Sequence, residues 1–307
     1  MNISIIIPTF NREKLLKQLL LALRNDKASN AAADIEVIVI NDRSTDGTEQ
    51  MVKNEFPEIV YLTADGKGDT SAKRVGIEAA KGDYVVSLDD DMIPENGWIR
   101  DVIPTLEQGK PLVQTKIVFR DLGQQNLRDE SRQYFRTGFK FNMYPVLVIN
   151  GGYKEQYINI CAECGLFISR DLLKKIPLDD PNLISDFGEA ASFFLRINKQ
   201  GYKVFFQPQS ILYHLGADTG GGKEREGKVP PRKQCTPFVT MMVHNFFIFA
   251  RMSNPWRIPY MVGYYSIAGL YLSFMQKRNC FRFFIKGIIG GLTSKRVPVH
   301  PYSWAHE

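Results

Sequence analysis

Tyr84-Val85-Val86-Ser87-Leu88-Asp89-Asp90-Asp91-Met92-Ile93-Pro94-Glu95 is a short apolar run that breaks abruptly into three consecutive carboxylates. The aromatic and β-branched residues at its start read as a buried strand, Tyr84 to Leu88, so the acids fall at a strand's carboxyl end. Upstream, the same pattern recurs. Ile3-Ser4-Ile5-Ile6-Ile7 is a buried strand closed by Pro8, and Leu15, Leu16, Leu19, Leu20 and Leu23 follow at helical spacing. Ile35 to Ile40 is a second strand with a helix over Thr48 to Asn54, and Val60-Tyr61-Leu62 is a third with a helix over Thr70 to Ala80. Strands alternating with helices in this way predict βα units and a mainly parallel, Rossmann-like α/β sheet of the nucleotide-binding kind.

In such open sheets, ligands bind beyond the carboxyl ends of the strands. The residues standing there are Pro8-Thr9-Phe10-Asn11-Arg12 after the first strand, Asn41 to Thr48 after the second, and Asp89-Asp90-Asp91 after the fourth. Clustered carboxylates repel one another unless a cation joins them. Hard oxygen ligands suit Mg2+ or Mn2+, which keep positions for water and diphosphate oxygens; a helix cap with spare acids is the plainer alternative. Asp42 is placed either to accept a hydrogen bond from a nucleobase N–H or simply to build an Asx-type turn. Gly66-Lys67-Gly68 and Lys73-Arg74 put backbone N–H groups and cations where a diphosphate could rest, although such a Lys-Arg pair on its own reads as a solvated face.

Pro8 to Arg12, the Asn41 to Thr48 turn, Ala72-Lys73-Arg74-Val75-Gly76 and Ser87-Leu88-Asp89-Asp90-Asp91 stand in the order and spacing of the family-2 glycosyltransferases, which the chain resembles over about residues 1–215. The resemblance implies the GT-A fold and an inverting, metal-dependent transfer of sugar from a nucleoside-diphosphate sugar. It implies a nucleotide-sugar site formed by Pro8, Thr9, Asn11, Arg12, Asp42, Lys73, Asp89 and Asp90, with Asp42 at the base and Lys73 near the diphosphate. Asp89 and Asp91 form the D-x-D metal motif, and His214, after the strand-like Ser210-Ile211-Leu212-Tyr213, matches a family position that completes the metal shell or touches the diphosphate. The third motif departs from the usual Ala-Arg-Asn-x-x-Gly, since Lys73 and Arg74 stand there.

Gly165 to Ser169 resembles the family strand before the acceptor helix, and Gly188-Glu189-Ala190 to Arg196 resembles that helix, expected over Asp186 to Gln200. Inverting transfer needs a carboxylate to take the acceptor hydroxyl proton. The family's Glu-Asp pair is incomplete here because Ala190 replaces the Asp, so Glu189 is the expected base and Asp186 the second candidate. The same gap admits another reading, a catalytically idle sugar-nucleotide-binding or scaffold protein. The glycine-rich stretch Asp218 to Lys228 is expected to close over the donor as a lid.

Charge separates the tail from the rest. Residues 1–222 carry 26 Lys and Arg against 30 Asp and Glu, while residues 223–307 carry 13 against 3. Beyond Pro237, aromatic and aliphatic residues crowd between these cations, and Ile258 to Gln276 has no charged residue over 19 positions. That stretch is at the lower edge of spanning length and holds Pro259, Gly263 and Gly269, which favours interfacial or re-entrant insertion; a helical appendage on the core or a homodimer interface is the alternative. The aromatic residues are interleaved as in a membrane belt rather than as stacking platforms, which argues against nucleic acid. Cys161, Cys164, Cys235 and Cys280 are too few and scattered for a disulfide framework, so core thiols in a reducing compartment are expected, with a metal or redox role for the Cys161/Cys164 pair the lesser reading. No signal-peptide pattern opens the chain. The resulting expectation is a GT-A catalytic domain over 1–235 (donor half 1–97, acceptor half and lid 98–235) and a hydrophobic, basic helical region over 236–307. Mn2+ or Mg2+, a nucleotide-sugar donor and a saccharide or lipid-linked saccharide acceptor at the cytoplasmic face of a membrane complete it, in cell-surface polysaccharide, O-antigen or glycolipid synthesis.

Overall fold

A computed structural model of the chain describes residues 1–28, 33–66, 68–120, 127–129, 156–158, 163–183, 189–215, 237–253, 255–276 and 279–294. Three βα steps and a fourth strand build the amino-terminal half: β1 (Asn2–Thr9), α1 (Glu13–Ala28), β2 (Asp34–Asn41), α2 (Thr48–Glu55), β3 (Val60–Thr63), α3 (Asp69–Ala79) and β4 (Tyr84–Ser87). These strands pair in parallel in the order β3-β2-β1-β4. Ile3, Ile5 and Ile7 of β1 pack against Leu16, Leu19 and Leu20 of α1 on one face. Ile6 points the other way, into a second core with Ile38, Ile40, Ala72 and Ile77. A sheet covered on both faces explains why β1 reads as an unbroken apolar run. Gly76 of α3 is needed for this close cover, since a Cβ there would stand 2.6 Å from Ile40 Cδ1.

Beyond β4 the pattern changes. β5 (Met92–Pro94), α4 (Trp98–Glu107), β6 (Leu112–Arg120), β7 (Leu127–Asp129), β8 (Gln156–Ile158), β9 (Leu166–Ser169), α5 (Arg170–Lys175), α6 (Glu189–Lys199) and β10 (Val204–His214) extend the sheet as β4-β9-β6-β10-β5, with β7 on β6 and β8 on β10. Among the described residues the sheet is therefore mixed, which corrects the expectation of a mainly parallel one. Five of its ladders are antiparallel, among them β4 with β9 and β9 with β6. The reason lies at Gly165. Its N–H donates to Ser87 O (2.8 Å) and its φ of +67° turns the chain there, so β9 starts at the carboxyl end of β4 and runs back along it. Ser210-Ile211-Leu212-Tyr213 and Lys203 to Phe206, read as separate strands, join in one strand whose register against β6 shifts between Gln207 and Ile211. Pro208, lacking an N–H, sits in that irregularity.

The tail is α7 (Pro237–Ser253), a 3-10 turn over Pro255–Arg257, α8 (Ile258–Gln276) and α9 (Phe281–Thr293). It closes a third core of Val243, Phe246, Phe247, Tyr265 and Phe284, which Leu195 of α6 joins from beside the sheet. α9 crosses α7 closely through two glycines one turn apart: a Cβ on Gly287 would lie 2.7 Å from Thr240 O, and one on Gly291 2.5 Å from Phe247 Cβ. Among the described residues no helix is long and apolar enough to cross a membrane. Cys164 is a free thiol, but Cys280 is disulfide-bonded, against the expectation of thiols throughout.

Candidate active site

The ends of β1 and β2 are level, because Thr9 pairs with Asn41 and Asp42 N donates to Thr9 O at 2.9 Å. Two side chains lace the loops that follow. Asn11, left-handed at φ +53°, receives the amide of Thr45 on its Oδ1 (2.7 Å), and its own N–H donates to Ser44 Oγ (2.9 Å). Asparagine tolerates that backbone region better than most residues. Asp46 accepts from Thr48 N (3.1 Å) and Glu13 N (3.2 Å), serving the first turns of α2 and α1 together. Asp42 is buried, and its two oxygens accept from Gly66 N (2.8 Å) and Gly68 N (3.0 Å). These glycine amides are thus turned toward Asp42, which organises the turn before α3; Lys67 lies outside the described residues.

The three aspartates do not face one way. Asp90 turns inward, accepting from Thr9 Oγ1 at 2.8 Å and from the Arg12 guanidinium at 2.6 Å. Burial pushes its pKa up to about 6 even against the pull of Arg12 and Thr9. Burial also opposes the Arg12 charge, but Asp90, Asp91 and Asp89 outweigh it and raise the pKa of the guanidinium. Asp89 and Asp91 converge instead with His214, all three offering ligand atoms within 4.8 Å of one another. The sheet brings the histidine there: β10 pairs antiparallel with β5 so that His214 stands opposite Met92, and Leu215 N donates to Asp91 O (2.9 Å). His214 Nε2 lies 3.1 Å from Asp91 Oδ1.

Two carboxylates and an imidazole fit a divalent cation. Ligand atoms held 2.0–2.1 Å from one ion are at most about 4.2 Å apart, so these groups need only a small closure. Burial pushes the Asp89 pKa upward, against the opposing pull of Lys73, which is the electrostatic signature of a carboxylate short of positive charge.

A further cluster adjoins the centre. Lys73 Nζ, buried on α3, is 2.6 Å from Asp69 Oδ2 and 3.2 Å from Glu163 Oε2. Burial acts to lower its pKa, yet Asp69, Glu163 and Asp89 together hold it well above the ordinary lysine range. Glu163 itself is pushed up by burial and pulled down by Lys73. The bridge between Ser87 and Cys164 fixes Glu163 beside the end of β4.

Over residues 4–176 the chain matches the model of glycosyl transferase family 2. It belongs to that family. It is 26% identical over 206 residues to the minor teichoic acid biosynthesis protein GgaB of Bacillus subtilis, covering 64% of this chain and 21% of GgaB. It is 27% identical over 185 residues to the abequosyltransferase RfbV of Salmonella typhimurium, covering 57% of this chain and 53% of RfbV. The chain thus spans well under two thirds of either relative. In fold it is similar to residues 1–349 of S. aureus TarS in complex with UDP-GlcNAc (TM-score 0.55, 16% identity, 81% of this chain and 66% of that one) and to the same segment alone (TM-score 0.54, 14% identity, 98% of each).

The structure therefore brings Thr9, Arg12, Asp89, Asp90, Asp91, Lys73 and His214 of the expected family-2 site together, with Pro8, Asn11 and Asp42 in the loops that frame them. Asp186 and the Asp218–Lys228 stretch lie outside the described residues, as does the side chain of Glu189, which opens α6. That helix is tied down by Arg196, whose guanidinium donates to the carbonyls of Pro177 (2.6 Å) and Leu178 (2.8 Å). Sequence reasoning missed Glu163 and Asp69. Asp69 stands four residues before Lys73, a helical ion-pair spacing that could have flagged it; nothing local marks Glu163, 90 residues away.

Proposed function

We propose that the chain is an inverting glycosyltransferase that moves a sugar from a nucleoside-diphosphate sugar to a hydroxyl of a saccharide or lipid-linked saccharide, using Mn2+ or Mg2+. The observation that carries this is the convergence of Asp89, Asp91 and His214 at the carboxyl end of β4, beside Arg12 and Lys73. The bound cation would neutralise the departing diphosphate. Asp90, gripped by Thr9 and Arg12, keeps the first loop against the metal ligands, and Asp42 shapes the Gly66–Gly68 turn around the base. Lys73, held between Asp69 and Glu163, is the cation that can shift toward the diphosphate. Glu189, with Asp186 as the other candidate, removes the acceptor proton as the acceptor oxygen bonds to the anomeric carbon and the bond to the diphosphate breaks, which inverts that centre. The 218–228 stretch shields the donor from water.

The likeness to GgaB, a minor teichoic acid biosynthesis protein, and to RfbV, an abequosyltransferase, supports an acceptor in cell-surface polysaccharide or glycolipid assembly, and UDP-GlcNAc in TarS supports a nucleotide sugar as donor. In this reading residues 1–235 are the catalytic domain, and residues 236–307 hold it at the cytoplasmic face of a membrane, with homodimerisation the other use of that region. Ala190, in place of the family's second carboxylate, favours one rival reading, an idle nucleotide-sugar binder. A panel of nucleotide sugars with Mn2+, scored for transfer and for donor hydrolysis, decides between them. Turnover is expected with at least one donor, lost on chelation and lowered at least about a hundredfold in Glu189→Gln; binding without any turnover would establish the idle reading.

A further inference from the structure

α8 presents apolar side chains on the side turned away from its own core. Trp256 just before it, then Tyr260, Tyr264, Ile267, Tyr271 and Phe274, recur at steps of four and three and form one exposed stripe, with Phe274 83% and Ile267 69% exposed. Met261 and Tyr265 on the opposite side are buried against Phe246 and Phe284. A helix that is apolar all round and yet half-exposed in water is incomplete without a second apolar phase. It does not meet the length and hydropathy of a spanning segment.

Charge says which phase. From Pro237 to His306 there is no Asp or Glu, while eight Lys and Arg are spread through those residues. On α9, Arg282 and Lys286 are exposed one turn apart, with Ile289 exposed on the next turn. A second copy of the chain docking stripe to stripe would bring the same cations, with no acid beside them in this stretch of sequence, to a two-fold interface, where like charges oppose association. Anionic lipid headgroups neutralise them instead, and Tyr and Trp rings with polar tips suit the boundary between headgroups and acyl chains. We infer that α8 lies flat in an anionic bilayer surface, immersed along the Trp256–Phe274 stripe, with Arg282 and Lys286 of α9 on lipid phosphates. This deepens the membrane placement proposed above and is independent of the transfer chemistry.

One consequence concerns reach. Leu195 of α6 shares a core with Phe246 of α7 and Tyr265 of α8, so the helix that begins at Glu189 is joined to the lipid-facing helix through a single packed layer. At 8–10 Å between packed axes, that sets the acceptor helix roughly 20 Å from the surface.

Flotation of the full-length protein with phosphatidylcholine vesicles, with and without phosphatidylglycerol, tests the inference without donor or acceptor, so failure of the transferase reading leaves the result intact. The wild type is expected to float with the anionic vesicles, less so in high salt. Ile267→Glu combined with Phe274→Glu replaces exposed residues only; it should keep the wild-type melting curve and Mn2+ affinity while losing at least about a hundredfold in vesicle binding. Arg282→Gln with Lys286→Gln should lose roughly tenfold, on anionic vesicles alone. The inference is overturned if the wild type ignores vesicles or if the glutamate pair floats as well as the wild type. A wild-type dimer that the glutamate pair splits, with no vesicle binding, would equally overturn it and assign the stripe to a second copy.

Discussion

Three neighbouring aspartates have unlike surroundings, and substitutions should tell them apart. Asp91→Asn removes a candidate metal ligand and is expected to weaken Mn2+ binding at least about tenfold, read by electron paramagnetic resonance of the free ion. Asp90→Asn should leave that affinity within a few-fold but lower unfolding stability by about 1–3 kcal/mol, because Arg12 loses its charged acceptor. The pH dependence follows from Asp89, whose pKa burial raises. An acid with a raised folded pKa takes up its proton sooner as pH falls, and the metal needs the anion. Mn2+ affinity is therefore expected to start falling at a higher pH than the roughly 4 at which an unperturbed aspartate takes up its proton; titrations at stepped pH check this. The acids that cluster with His214 were legible in the sequence. The inward turn of Asp90 was not, because its partner Arg12 lies 78 residues away and identical side chains carry no mark of direction. Glu163 was hidden for the same reason.

Elements are held in place by similar distant contacts. α4 begins at Gly97, which has no side chain to cap it, and the cap comes from Asp26 near the end of α1, accepting from Gly97 N (2.6 Å) and Ile99 N (3.1 Å). Asp26 is buried, so Asp26→Ala strands both donors and should cost about 2 kcal/mol, seen as a lower denaturant midpoint with unchanged slope. β1 to β3 and their helices could be read from periodicity because each of these strands is followed by its own covering helix, a local arrangement, and β4 by its unbroken apolar run. β6, β9 and β10 could not be ordered that way. Their neighbours are set by pairing across long sequence separations and by the turn at Gly165, neither of which leaves a repeating pattern, and so the expected parallel sheet proved mixed.

At the scale of the whole molecule, the tail and the donor half are separate cores that meet at α6. Gly291→Val would force α9 away from α7, where Phe247 Cβ and His244 O leave no room for a side chain. The cost is expected to be about 1–3 kcal/mol, lowering the melting temperature while Mn2+ affinity at the far end of the sheet stays unchanged. Charge also bears on how the site could be loaded. Among the described residues around the centre, Asp69, Glu163, Asp89, Asp90 and Asp91 outnumber Arg12 and Lys73 by five to two. A diphosphate arriving first would enter a field of its own sign, whereas the cation arriving first reverses most of it. If the proposed function holds, addition is expected to be ordered, metal before nucleotide sugar, and calorimetric titration of the donor should give measurable heat only after the metal has been added.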